Sequence, residues 1–136
     1  LQAISQLDVT PMVRVPWNDP IPIMKALDAG AYGVIIPMVN SAEEAKLMID
    51  SIKYPPIGNR GVGLARAQGY GMNFNDYFQI FNEHSIIICQ IENKIAIENI
   101  DQIDPIYNAW EYGSNKYADY WDPVLRFLLH SDCLKE

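Results

Sequence analysis

Three polar side chains near the ends of apolar runs could carry chemistry in this sequence. Arg14 lies between Val13 and Val15, and Gln90 and Glu92 follow the run "SIIIC". A strand-end arginine can bind a carboxylate through two hydrogen bonds, and a strand-end glutamate is an oxygen ligand suited to Mg²⁺ or Mn²⁺. A buried guanidinium is costly without an anion. Arg14, predicted to be buried, is therefore expected to contact a carboxylate of the protein or of a substrate.

The alternation of side chains along a strand groups these residues on strand faces. Arg14 shares a face with Met12 and Pro16, and Gln90 shares a face with Glu92. Sites of parallel α/β proteins are built at the carboxyl ends of the strands. Spacing alone leaves two interpretations open: a structural Arg14–Glu92 ion pair, or a site in which the arginine binds substrate and the glutamate binds a metal ion.

The elements that must position these residues alternate between strands and helices. The runs "TPMVRVPW", "YGVIIPMV" and "SIIICQIEN" are predicted strands, and "DPIPIMKALDAG", "NSAEEAKLMIDSIKY", "NFNDYFQIFNEH" and "KIAIENIDQI" are predicted helices. Asp19 and either Asn40 or Ser41 are predicted N-caps. The order predicts an α/β fold with about three parallel strands and their helices.

Composition and charge exclude several classes of partner. The 136 residues carry a net charge of −7, which disfavours nucleic acid and anionic membranes as partners. No apolar run is long enough to span a bilayer. Cys89 and Cys133 match no metal-ligand spacing, and we interpret them as reduced thiols of a cytoplasmic protein.

The character of the sequence changes near residue 104. The segment 104–136 is rich in tyrosine and tryptophan, contains no clear strand and ends in a predicted helix. We therefore predict a domain over residues 1–103 and a divergent tail over 104–136.

Several motifs together resemble the HpcH/HpaI aldolase family over residues 1–103. They are "VRVPWNDP", "IPMV", "YPPIGNRGVGLARA" and "QIE", in this order and spacing. The resemblance implies part of a (β/α)8 barrel of the phosphoenolpyruvate/pyruvate-binding type. It also implies a metal-dependent aldolase that reversibly cleaves 4-hydroxy-2-oxo acids to pyruvate and an aldehyde.

The same resemblance implies a role for each candidate residue. Arg14 matches the arginine that contacts the oxo acid, Gln90 matches the glutamine beside the site, and Glu92 matches one carboxylate ligand of the metal. The implied ion is Mg²⁺ or Mn²⁺, with Co²⁺ as an alternative, and the implied full-length assembly is a homo-oligomer.

The chain also departs from the family pattern. The family's general-base histidine would lie before Leu1, and its second metal-ligating aspartate, in a "GP.DLS"-like segment, has no match. About three of eight barrel strands are predicted, which cannot close a barrel, so the chain alone is expected to be incomplete and inactive. The alternatives are a non-catalytic interaction or regulatory module on a truncated barrel, and a citrate-lyase β-like acyl-CoA lyase.

Two other features are weaker candidates for chemistry. The glycine-rich segment "GNRGVGLARAQGYG" invites a phosphate-binding interpretation, but it follows a helix and lacks the P-loop and dinucleotide patterns. His84 in "NEHS" is expected to be an exposed helix-end residue and not a general base.

Overall fold

The computed structural model describes residues 1–111. Within these residues, three strands and five α-helices follow one another in the order β1, α1, β2, α2, α3, β3, α4, α5. Their bounds are β1 Met12–Arg14, α1 Pro20–Asp28, β2 Gly33–Ile36, α2 Ala42–Ile52, α3 Phe74–His84, β3 Ile86–Cys89, α4 Lys94–Glu98 and α5 Ile100–Glu111. Two 3₁₀ helices, Ile4–Gln6 and Arg66–Gly71, lie in the connecting segments.

The strands form one parallel sheet in the order β1-β2-β3. Arg14 is in register with Ile35, and Ile36 is in register with Cys89. Backbone hydrogen bonds from Gln90 N to Ile36 O and from Val39 N to Gln90 O continue the pairing beyond β3. The prediction of an α/β fold with three parallel strands is confirmed, and the carboxyl ends of β1 and β3 lie on either side of β2.

Side-chain caps fix where two helices begin. The Asp19 carboxylate accepts a hydrogen bond from Ile21 N at 2.8 Å, with Pro20 at the first position of α1. The Ser41 hydroxyl accepts from Glu44 N at 3.2 Å and caps α2. These bonds satisfy amides that would otherwise lack intrahelical partners, and they make Ser41 the cap where Asn40 was the alternative.

The hydrophobic core lies between one face of the sheet and the helices. Its members are apolar side chains of β2, β3, α1 and α2 and the residue after β1, with contributions from α3 and α5: Val15, Ile23, Leu27, Val34, Ile36, Met48, Ile52, Phe81, Ile87 and Ile103. The opposite face of the sheet, which carries Arg14, Ile35 and Ile88, is exposed or half-buried. The sheet is therefore covered on one face by the described residues.

That asymmetry corrects one expectation. Arg14 was predicted to be buried because apolar residues flank it, yet its side chain is 53% exposed. Val15, its neighbour on the other face, is 2% exposed. A strand with helices against one face alone buries alternate residues, and Arg14 occupies the open face.

The segment "KIAIENIDQI", predicted as one helix, forms two. Helix α4 ends at Glu98, and α5 begins at Ile100. Asn99 lies between them, and its side chain donates to Asn40 O at 2.8 Å, a contact outside both helices. Helix α5 runs through residue 104, and the division into residues 1–103 and 104–136 stays a prediction because most of the tail lies outside the described residues.

No helix among residues 1–111 is long and apolar enough to cross a membrane.

Candidate active site

The three candidate residues meet at the carboxyl end of the sheet. Arg14 Nε donates a hydrogen bond to Gln90 Oε1 at 2.9 Å. Arg14 Nη2 lies 4.0 Å from Glu92 Oε1, and the Glu92 side chain is 31% exposed. Residues separated by 76 positions in the sequence are thus brought into one cluster.

The distances separate the two interpretations of Arg14. Its direct hydrogen-bond partner is the neutral Gln90, whereas 4.0 Å to Glu92 is beyond hydrogen-bond range. Arg14 and Glu92 therefore do not form a tightly bonded, buried ion pair. The Nη side of the guanidinium is therefore available to an anion arriving from solvent.

The described residues can supply one position of a metal site. Glu92 has the oxygen donor chemistry that Mg²⁺ and Mn²⁺ require, and its carboxylate is not closely bonded to Arg14. Among residues 1–111, no group of three His, Cys, Asp or Glu side chains is placed to hold a metal ion. Glu92 could therefore supply one ligand of a divalent ion. The remaining coordination positions would be filled by water, substrate or residues outside this part of the chain.

Asparagine side chains link the loops that follow the strands, and sequence reasoning did not assign them this role. Asn93 Nδ2 donates to Asn40 Oδ1 at 2.6 Å, and Asn18 Nδ2 donates to Glu44 O at 2.8 Å. The available signal was position, since Asn93 directly follows Glu92 and each asparagine follows a predicted strand. Spacing does not reveal that these residues bond to one another.

The weaker candidates lie away from this cluster. His84 ends α3 and precedes β3, so it lies toward the amino ends of the strands, with Nε2 3.7 Å from Glu83. Arg60 of the glycine-rich segment is buried and bonded to Asp28 Oδ1 at 2.7 Å, which makes it a structural residue and not a phosphate ligand. Burial raises the pKa of the free Cys89 thiol to about 12, so it is not a nucleophile near neutral pH.

Comparison with known protein families gives one match over most of the chain. The sequence model of the HpcH/HpaI aldolase/citrate lyase family matches residues 1–108. A curated relative, 4-hydroxy-2-oxo-heptane-1,7-dioate aldolase of Klebsiella pneumoniae, is 43% identical over 104 residues, which are 76% of this chain and 39% of the relative. The chain thus spans about two fifths of the length of the curated relatives it matches.

Solved structures agree with the sequence match. The HpcH/HpaI aldolase of Desulfitobacterium hafniense superposes with a TM-score of 0.70 at 28% identity, over 93% of this chain and 53% of that one. The citrate synthase SbnG superposes with a TM-score of 0.63 at 29% identity, over 75% of this chain and 38% of that one. The parallel sheet and its helices therefore have the same fold as the corresponding parts of these proteins.

Proposed function

Since the chain belongs to the HpcH/HpaI aldolase/citrate lyase family, we propose that it carries oxo-acid-binding and metal-binding elements of an aldolase. The proposed reaction is the reversible cleavage of a 4-hydroxy-2-oxo acid to pyruvate and an aldehyde, catalysed by a carbon–carbon lyase. The observation that carries the proposal is the cluster of Arg14, Gln90 and Glu92 at the carboxyl end of the sheet.

Arg14 is the residue that we assign to the oxo acid. Its guanidinium is half-exposed and held by one hydrogen bond from Nε to Gln90. That bond orients the planar group, so that the Nη atoms can donate to a carboxylate or to an oxygen that gains negative charge during cleavage. Gln90 is thereby the residue that orients Arg14 at the mouth of the site.

Glu92 is the residue that we assign to a divalent ion, Mg²⁺ or Mn²⁺, with Co²⁺ as an alternative. Such an ion, when bound, polarises the 2-oxo group as a Lewis acid. Glu92 supplies one negatively charged oxygen ligand, and its 4.0 Å separation from Arg14 leaves the carboxylate accessible. The expectation that the chain alone is inactive stays a prediction. It rests on the three predicted barrel strands and on the unmatched histidine and aspartate, and among residues 1–111 no group of three ligand side chains is placed to hold the ion.

The Glu92 assignment is tested by titrating Mn²⁺ into the chain and into Glu92→Gln. We expect weak binding by the wild type, because one carboxylate leaves most of the coordination shell to water. Binding should be lost in Glu92→Gln, since a neutral amide is a poorer ligand for a hard cation.

Glu83→Gln is the matched control, because Glu83 is 69% exposed and precedes β3 at the other end of the strand. It should bind Mn²⁺ as the wild type does. Equal affinity of the wild type and Glu92→Gln would remove Glu92 from the metal site.

A second candidate is carbon–carbon bond chemistry on a citrate-type acid, as in a citrate-lyase β-like acyl-CoA lyase. The family model supports it, because its description includes citrate lyase, and the fold is shared with the citrate synthase SbnG. Both candidate substrates carry a carboxylate, so the same carboxylate-binding role is proposed for Arg14 in each. Turnover of oxo acids against acyl-CoA esters by the full-length protein separates them.

The remaining proposals concern partners and location. Exposed apolar side chains of the segment between α2 and α3, Val62, Leu64, Tyr70 and Met72, support a homo-oligomeric assembly of the full-length protein. The acidic net charge of −7 supports small-molecule partners and not nucleic acid or membranes. The free thiol of Cys89 supports a reducing, cytoplasmic location.

A further inference from the structure

A side-chain hydrogen bond joins the loop after β2 to the residue that directly follows Glu92, the candidate metal ligand. Asn93 Nδ2 donates to Asn40 Oδ1 at 2.6 Å across 53 positions of sequence. Asn99 Nδ2 adds a second link to Asn40 O at 2.8 Å. Because Asn93 is the chain neighbour of Glu92, these bonds fix the backbone from which the Glu92 side chain projects.

Each amide of the pair is oriented by a separate contact. Asn93 Oδ1 accepts from Ala96 N at 3.0 Å and caps α4, which leaves its Nδ2 as the group that can donate elsewhere. Asn40 Nδ2 donates to Met38 O at 2.9 Å, which leaves its Oδ1 as the acceptor. These two contacts orient Asn93 Nδ2 as the donor and Asn40 Oδ1 as the acceptor, and neither contact requires the Asn93–Asn40 bond.

The loop after β2 contains a residue in an unfavourable backbone conformation. Met38 has φ of +55°, a left-handed conformation that is unfavourable for a residue with a side chain. The bond from Asn40 Nδ2 to Met38 O and the bond from Asn40 N to Glu44 Oε2, at 2.6 Å, hold this loop. Such conformations persist where the surroundings over-determine them, often at functional sites.

The network also reaches the loop after β1. Asn18 Nδ2 donates to Glu44 O at 2.8 Å, and Glu44 accepts from Asn40 N. The strand ends that carry Arg14 and Glu92 are thus connected through the loop of the central strand. A shift of that loop would alter the relative placement of the two candidate site residues.

We propose that Asn40 and Asn93 are positioning residues, whose hydrogen bond holds Glu92 in the geometry for binding the divalent ion. This inference rests on the proposed metal-binding role of Glu92. Partners that orient a ligand without touching the metal commonly change metal affinity by one to two orders of magnitude when they are lost. In this role neither asparagine is itself a ligand of the ion.

The test uses Asn93→Ser and Asn40→Ala, each titrated with Mn²⁺ and melted without metal. Serine is as good an N-cap as asparagine, so Asn93→Ser keeps the cap of α4 and removes the amide donor. Asn40→Ala removes Oδ1 and also the bond from Nδ2 to Met38 O, and it keeps the backbone bonds to Glu44 and Asn99. Each variant should bind Mn²⁺ about tenfold more weakly while melting close to the wild type. The double variant should bind Mn²⁺ no more weakly than Asn40→Ala alone, because Asn40→Ala already removes the bond that Asn93→Ser removes.

Asn73→Ser is the matched control, because Asn73 occupies the N-cap position of α3 without a capping side-chain bond. It should leave Mn²⁺ affinity unchanged. Loss of Mn²⁺ binding in Glu92→Gln with full binding in Asn93→Ser and Asn40→Ala overturns the positioning role and keeps the proposed site. Full binding in Glu92→Gln overturns both. A loss of affinity that accompanies a matching loss of melting temperature in both asparagine variants also overturns the positioning role.

Discussion

Lys53 directly follows α2, and its ammonium group is buried. The residue is 0% exposed, and Nζ donates to Asn82 O at 2.7 Å, to Ser85 Oγ at 2.7 Å and to Phe81 O at 3.4 Å. The two carbonyls belong to the last turn of α3, where the helix dipole favours a positive charge. Lys53 therefore ties the end of α2 to the end of α3 immediately before β3.

Burial lowers the pKa of Lys53 from 10.5 to about 7. Between these values the unfolded chain binds a proton that the folded chain releases, so stability rises with pH across this window. We expect the unfolding free energy of the wild type to rise from pH 7 to pH 9.5 relative to that of Lys53→Met. The variant lacks the titrating group and so lacks this gain.

Urea unfolding at a series of pH values measures the difference. Lys46→Met on the exposed face of α2 is the matched control and should follow the wild type. Parallel pH curves for the wild type and Lys53→Met would contradict the downward shift.

Residue types at strand ends were sufficient to predict the candidate cluster but not its environment. The alternation rule placed Arg14 opposite Val15 and grouped Gln90 with Glu92, and the structure brings Arg14 and Gln90 into contact. Burial of Arg14 was predicted wrongly, because flanking valines do not reveal whether a strand has one covered face or two. The roles assigned to the cluster stay predictions.

At the scale of elements, the segment between α2 and α3 is anchored by a buried cation. The Arg60 side chain is 1% exposed, and its guanidinium lies 4.6 Å from the Tyr54 ring and 4.9 Å from the Phe81 ring. Asp28, the last residue of α1, accepts a hydrogen bond from Nη2 at 2.7 Å. This arrangement fastens the glycine-rich segment to α1 and to the aromatic face of α3.

We expect Asp28→Asn to destabilise the fold by about 3–5 kcal/mol, because it leaves a buried guanidinium without its counter-charge. Urea unfolding at neutral pH measures the loss. Glu98→Gln is the control, since the Lys94–Glu98 pair, at 3.5 Å, is largely exposed and such pairs contribute little. Equal unfolding midpoints for the wild type and Asp28→Asn would show that the charge of Asp28 does not stabilise the buried Arg60 side chain.

Helix starts were predictable because caps are local. Asp19 with Pro20 and the pair Asn40/Ser41 marked two helix starts from the sequence. The break between α4 and α5 could not be predicted from the sequence, because Asn99 bonds to Asn40, 59 positions away. Contacts of that separation leave no periodic signal.

At the scale of the whole molecule, the sheet determines where the candidate site residues lie. Parallel pairing in the order β1-β2-β3 brings all three carboxyl ends to one end of the sheet, where Arg14 Nη2 lies 4.0 Å from Glu92 Oε1. The order of strands and helices followed from the sequence, because apolar runs and amphipathic segments alternate. The hydrogen bonds of Asn18, Asn40 and Asn93 did not follow from the sequence, since they depend on how the loops after the three strands are placed in the folded chain.

The central claim is that Arg14 and Glu92 form an oxo-acid and metal site and not a structural ion pair. Melting curves of the wild type and Arg14→Met, each with Mn²⁺ and with or without oxalate, test it most directly, because oxalate is a stable dicarboxylate that can engage both the ion and the guanidinium. A half-exposed Arg14, 4.0 Å from Glu92, should cost at most about 1 kcal/mol of stability when replaced.

We expect oxalate to raise the melting temperature of the wild type and to leave that of Arg14→Met unchanged. A charged hydrogen-bond partner is worth roughly 1.5–3 kcal/mol of binding, enough to remove the shift at the same oxalate concentration. A loss of stability of about 3–5 kcal/mol in Arg14→Met, as for a broken buried pair, together with no oxalate effect on the wild type, would contradict the proposed site.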